Sequence, residues 1–271
     1  MSSAPVVPRN ALVEESWSFF HHAMAAAESE VRKLAHDRLE MLARIVQPLA
    51  WLLLFGPVLS HLHEIPTGGL RYIDFMVPGI VAQGVLFVSV VYGVALLWER
   101  DGGILQRYLA TPVSRGALVL GKALSAGVRV MPQVLFIYVL SAILGVQLRL
   151  RPLPLLGVLA LVAIGAGIFC SFSLIIACLV KTRERFMGLT QLLTFPFFFA
   201  SNAIYPIAIM PGWLRRVSVV NPLTYLVDGL RALMLAGGQS TVGIRVDFGI
   251  LVLILVLVWG LAAKLYKRLS Y

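Results

Sequence analysis

The sequence predicts an all-α integral membrane protein with six transmembrane helices, and three observations carry that expectation. The chain is 59% hydrophobic and only 13% charged over 271 residues. Soluble domains are about 45–50% apolar and about 25% charged. A shift of that size means that much of the surface faces lipid. The apolar residues also fall into six runs of about the length needed to cross a bilayer. Finally, most of the basic residues lie between those runs, where Lys and Arg set topology.

The six runs are residues 45–63, 75–98, 118–145, 153–180, 187–210 and 248–265. Ahead of them, Val13, Trp17, Phe20, Met24, Ala27, Val31 and Leu34 recur at steps of four and three. That spacing makes an apolar stripe on a helix. An amphipathic helix on the membrane surface, leading into the first span, is the expectation. Residues 205–245 are too long for a plain turn and carry Pro206, Pro211 and Pro222. They read as short re-entrant helices before the last span, with irregular backbone buried against protein. The whole chain is one domain, residues 1–44 forming the cytoplasmic and interfacial segment and residues 45–265 the six-helix unit.

Charge gives the orientation. Arg32, Lys33, Arg38 and Arg44 precede the first run, Arg100, Arg107 and Arg115 follow the second, Lys181, Arg183 and Arg185 follow the fourth, and Lys264, Lys267 and Arg268 end the chain. The opposite loops are poorer in Lys and Arg. Both termini are therefore expected in the cytoplasm of a bacterial inner membrane. The first 40 residues lack the apolar core of a signal peptide. The net charge of +10 is spread over loops rather than gathered in a stripe, which argues against nucleic acid. Cys170 and Cys178, about 12 Å apart along a helix, are too distant to pair and read as small buried hydrophobes.

Two phosphate-binding look-alikes fail on chemistry. Gly116 to Lys122 nearly matches a phosphate loop, but Ala123 stands where a Mg²⁺-binding hydroxyl is needed. Leu235-Ala-Gly-Gly-Gln239 approximates the signature of ABC ATPases without its Ser, in a loop expected outside. No ATPase site, metal cluster or catalytic triad is expected on this chain. His61 and His63 read as interfacial residues rather than a metal pair.

The segment after the second run, Glu99 to Arg115, reads as a short amphipathic helix closed by Pro112. Ile104, Leu105, Tyr108 and Leu109 form its apolar strip among Glu99, Arg100, Asp101 and Arg107. Gly102 and Gly103 permit a sharp bend out of the membrane. Such an element can bury its strip in a cleft of a soluble partner. In the fifth run, Gln191, Phe195, Phe198 and Asn202 share a helical face, with Tyr205 beyond. Polar groups at membrane depth face protein or a cavity, so this face is a candidate substrate path or a packing surface. Arg129, with Gln133 one turn on, either snorkels to the inner surface or sits in the span, paired with a carboxylate such as Glu99 or facing an anionic substrate.

The pattern Glu99-Arg100-x-x-Gly103-x-Leu105, then Leu109-x-Thr111-Pro112-x-Ser114-Arg115, resembles the conserved loop of ABC-2 exporter permeases. So do Phe199-x-Ser201, Tyr205-Pro206, Met210-Pro211-x-Trp213-Leu214, Asn221-Pro222-Leu223-Thr224-Tyr225 and Asp228-x-x-Arg231. The resemblance implies two permease chains, expected as a homodimer, above two cytoplasmic ABC ATPase subunits. Glu99, Arg100, Gly103, Leu105, Tyr108, Leu109 and Pro112 would form the coupling helix seated in the ATPase. ATP and Mg²⁺ would belong to that partner, with no cofactor on this chain. The substrate would be an amphiphile such as a drug, a lipid or a lipid-linked glycan. The alternatives are an ion-driven transporter, disfavoured because the acidic residues avoid the span centres, and a membrane-embedded transferase, disfavoured because no cluster of Asp, Glu or His falls at one membrane face.

Overall fold

The computed structural model describes residues 46, 48–56, 58, 69–103, 115–180 and 182–266. The amphipathic helix expected before residue 45 lies outside the described residues, as do Leu105, Tyr108, Leu109 and Pro112. Only helices, turns and one isolated bridge occur among the described residues. Four helices among the described residues are long and apolar enough to cross a membrane.

Of the first expected span, a π-helical turn, Trp51–Phe55, is described. Its Leu52 is fully buried. Helix α1, Tyr72–Asp101, is the longest at 30 residues, about 45 Å at 1.5 Å per residue. Gly102 and Gly103 close it, and Gly103 adopts a φ of 70°, a backbone favoured by glycine. Helices α2, Arg115–Ile143, and α3, Pro152–Leu179, follow. Pro152 opens α3, where its missing N–H costs nothing.

Helices α1 and α3 form the centre of the bundle. The backbone N–H of Gly93 donates to Ser173 Oγ at 3.0 Å, and Ser173 Oγ donates to the carbonyl of Val90 at 2.5 Å. A Cβ on Gly93 would fall 2.2 Å from that hydroxyl and 2.4 Å from the Phe186 ring. Glycine is what permits this three-helix contact, as small residues do in membrane packing. The long last helix, α7, Ile244–Leu265, carries Leu253, Val256, Leu257 and Leu261 on an exposed face, as a lipid-facing helix should.

The expected fifth span, 187–210, is corrected. Its helix, α4, is Arg183–Phe199, with Ala200 as its C-cap. At 17 residues it rises about 25 Å, short of a hydrocarbon core of about 30 Å. Ser201 ends it locally: its hydroxyl donates to the Phe198 carbonyl at 2.7 Å. The chain then turns inward against α1. A Cβ on Gly79 would stand 2.2 Å from the carbonyl oxygen of Ala203, and Tyr72 donates to the Ile204 carbonyl at 2.8 Å.

Two short helices follow, α5, Gly212–Val220, and α6, Pro222–Met234. Gly165, Leu161 and Gly157 of α3 face Leu226, Gly229 and Leu233 of α6. The two helices are therefore antiparallel. Asn221, before α6, lies alongside the second half of α3, while the end of α6 meets the loop before α3 through Arg149 N–H to Met234 O at 2.7 Å and Ala236 N–H to Gln147 O at 2.9 Å. With 13 residues, α6 rises about 20 Å. Residues 205–245 thus carry two short helices, α5 and α6, that meet at Asn221. Asn221 stabilises the turn twice. Its Oδ1 accepts the Leu223 N–H at 2.9 Å as an N-cap, and its Nδ2 donates to the Phe197 carbonyl at 2.7 Å.

Candidate functional site

Two regions at opposite ends of α1 concentrate the polar chemistry. At the Glu99 end, Lys122 Nζ donates to both Glu99 carboxylate oxygens at 2.7 Å. Asp101 receives Arg183 at 2.7–2.9 Å and Arg100 at 3.2 Å. Arg100 also donates to the Val180 carbonyl at 3.3 Å, and the Arg183 guanidinium sits 3.7 Å from the Trp98 ring centroid. These contacts fasten the end of α1 to α2, to the end of α3 and to the start of α4. In sequence the end of α1 leads into residues 104–114, which lie outside the described residues.

Arg129 lies half way along α2. The partner of Glu99 is Lys122, two turns nearer the helix start. Arg129 instead faces the Tyr92 ring at 6.0 Å. The Gln133 amide packs where a Cβ on Gly84 would stand. Both side chains belong to the α1–α2 contact.

The wall expected of Gln191, Phe195, Phe198 and Asn202 does not form on one face. Packing on α1 selects Phe186, Thr190, Thr194 and Phe198 as the buried stripe of α4. Phe198 is 2% exposed and meets Trp51 edge-on at 5.8 Å. Gln191 and Phe195 point away from that stripe and are exposed. Phe195 stacks on Phe199 and meets Phe87 edge-on. Asn202 lies beyond the helix end and is buried. Tyr205 donates to the Phe199 carbonyl, and its partial burial raises the phenol above its ordinary pKa.

The second region, at the Arg71 end, was not singled out as a site from sequence. Arg231 stands 3.9 Å above the Phe75 ring, and its Nη2 donates to the carbonyls of Asn202 at 2.9 Å and Phe75 at 3.4 Å. Its Nη1 is 3.8 Å from Asp228. Asp228 accepts the Thr241 N–H at 2.6 Å and the Thr241 hydroxyl at 3.0 Å. Arg71, which donates to both Asp74 oxygens at 2.9 Å, is held above its ordinary pKa by that carboxylate and also reaches the Gly145 carbonyl. A cavity of about 330 Å³ opens here, lined among others by Phe75, Asn202, Asp228, Arg231, Gln239 and Thr241. The Asp-x-x-Arg spacing was the available signal: two opposite charges one turn apart in a helix that is otherwise apolar.

Residues 21–235 match the ABC-2 type transporter family. The chain is 31% identical over 203 residues to ycf38 of Cyanophora paradoxa, a transport permease by name, covering 74% of this chain and 70% of that one. It is 24% identical over 200 residues to the daunorubicin resistance ABC transporter permease protein DrrB1 of Streptomyces coeruleorubidus, covering 73% and 70%. It is 27% identical over 230 residues to nodulation protein J of Rhizobium meliloti strain 1021, covering 84% and 86%. With four long apolar helices among its described residues and this match over most of its length, the chain is a membrane permease that belongs to the ABC-2 type transporter family.

Proposed function

We propose that this permease is the membrane half of an ATP-driven exporter, working as a homodimer with two copies of a separate cytoplasmic ABC ATPase. The observation that carries this reading is the ion-paired cluster at the Glu99 end, taken with the family match. Glu99–Lys122, Asp101–Arg183 and Arg100–Val180 tie α2, α3 and α4 to the end of α1, which leads in sequence into the loop 104–114. A push on that loop is passed to α2, α3 and α4 together. The Glu99 end faces the cytoplasm, both termini included, and Leu105, Tyr108, Leu109 and Pro112 seat the loop in the ATPase.

The substrate is an amphiphile. One relative is named for daunorubicin resistance, which supports a drug-like or lipid-like cargo. Gln191 and Phe195 on the exposed face of α4 contact it, since an exposed amide at membrane depth is poorly served by lipid. The other path candidates, Phe198, Asn202, Tyr205, Arg129 and Gln133, support that face from behind or pack at α1–α2.

The test is reconstitution of the tagged permease with the ABC ATPase encoded beside it. Leu105→Asp should leave the permease inserted and abolish substrate stimulation of ATP hydrolysis. Unchanged stimulation, or no ATPase recovered with the purified permease, would sink the reading.

A further inference from the structure

Asp228 of α6, Ser240 of the following loop and Asp247 of α7 meet at the Arg71 end. Ser240 Oγ lies 2.7 Å from Asp247 Oδ2 and 3.3 Å from Asp228 Oδ2, and it accepts the Gly243 N–H at 2.7 Å. A hydroxyl carries one proton, so it donates to one carboxylate, and the shorter contact assigns it to Asp247. Asp228 is served by the two Thr241 donors. Asp247 is left with a single donor. It is fully buried, and its Oδ1 has no hydrogen-bond partner.

The charges do not balance. Among the described residues, the two carboxylates share one close cation, Arg231, which stands beside Asp228. One negative charge remains, out of contact with water, and such a charge is strongly disfavoured without a counter-charge. A further acceptor is also unfilled. Asn202 is 2% exposed and its Oδ1 has no partner, while its Nδ2 lies 3.5 Å from Asp228 Oδ1. A half-turn of that amide brings Oδ1 to the cluster. With the amide so turned, the atoms gathered here are carboxylate, hydroxyl and amide oxygens, the donor set of a hard cation.

We infer that Asp228, Ser240, Asp247 and Asn202 form a binding site for one monovalent metal cation of the sodium class. The single surplus charge sets the valence, since a divalent ion would leave an excess of the opposite sign. The cavity lined by Asn202, Asp228, Gln239 and Thr241 borders two of these four groups. A bound ion would tie α6, the loop after it and α7 into one unit. The inference stands independently of the transport reading.

The probe is sodium itself. Thermal unfolding of the purified full chain in lipid nanodiscs is followed by tryptophan fluorescence, exchanging choline chloride for sodium chloride at constant ionic strength. A saturable rise in Tm of several degrees is expected, because a ligand bound only to the folded state stabilises it. Ser240→Ala should raise the half-saturating sodium concentration tenfold or more. Asp247→Asn removes the surplus charge without changing shape. This variant should fold, match or exceed the sodium-free parent in Tm, and ignore sodium. An equal Tm in sodium and choline, with the same rise produced by acid alone, would mean a buried proton and overturn the metal site. A sodium response retained in Asp247→Asn would place the ion elsewhere and overturn it as well.

Discussion

Lys122 grips Glu99 with both carboxylate oxygens 2.7 Å from its ammonium, tying α2 to the last turn of α1. Both side chains are largely shielded, so the pair is worth more than a surface ion pair, which is typically 0–1 kcal/mol. Glu99→Gln should lower stability by about 1–2 kcal/mol, the scale of a charged hydrogen bond. The reversed pair, Glu99→Lys with Lys122→Glu, should recover most of that loss, while either single reversal should not. Thermal unfolding of the four variants as a double-mutant cycle measures the coupling. A coupling below about 0.3 kcal/mol, the noise of such cycles, would remove the pair as a tie between the helices.

Gly93 and Gly121 make a second, opposed pair of expectations. The space at Gly93 is occupied by Ser173 and Phe186, while nothing lies within 4 Å of a Cβ on Gly121. Gly93→Ala should cost about 1–3 kcal/mol, as overpacking does. Gly121→Ala should be neutral or stabilising by up to about 1 kcal/mol, since Ala is the better helix former. Melting temperatures of the two variants in the same detergent decide it. Equal tolerance at both positions would mean that α1 and α3 are further apart than described.

Arg231 supports a third expectation. Its removal leaves the carbonyls of Phe75 and Asn202 and the carboxylate of Asp228 without their guanidinium. Breaking a buried pair from one side costs about 3–5 kcal/mol. Arg231→Met should therefore accumulate poorly. Adding Asp228→Asn, which removes the uncompensated charge, should restore part of the folded yield on size-exclusion chromatography. No gain from the second change would show that Asp228 does not depend on Arg231 for its charge.

The long apolar helices were legible because hydropathy and length suffice to define them. Where α4 stops was not. Residues 187–210 read as one run because the local bond that ends the helix, Ser201 to the Phe198 carbonyl, leaves no mark on an apolar average. The breaks around α5 and α6 were visible in the prolines, but the Asn221 bond that anchors their turn joins Phe197, 24 residues away. The Arg71-end cluster was hidden for the same reason. Asp228, Ser240 and Asp247 are unremarkable singly and acquire meaning only when the turn after α6 brings them together. The expected α4 face failed because helical spacing says which residues align, not which stripe the neighbouring helix will cover.

That last point separates Gln191 from Phe198 experimentally. Phe198 is locked against Trp51, so Phe198→Ala should cost about 3–5 kcal/mol by leaving a cavity. Its effect on transport should follow from the loss of folded protein. Gln191 is exposed, so Gln191→Leu should change stability by no more than about 0.5 kcal/mol, as surface substitutions do. If Gln191 meets the cargo, that same variant should shift the substrate concentration giving half-maximal ATPase stimulation at least threefold, with folded yield intact. Substrate-stimulated ATPase in nanodiscs, normalised to folded permease, reads both effects. A Gln191→Leu protein with parental stimulation would assign that face of α4 to lipid or to the second copy instead of the cargo.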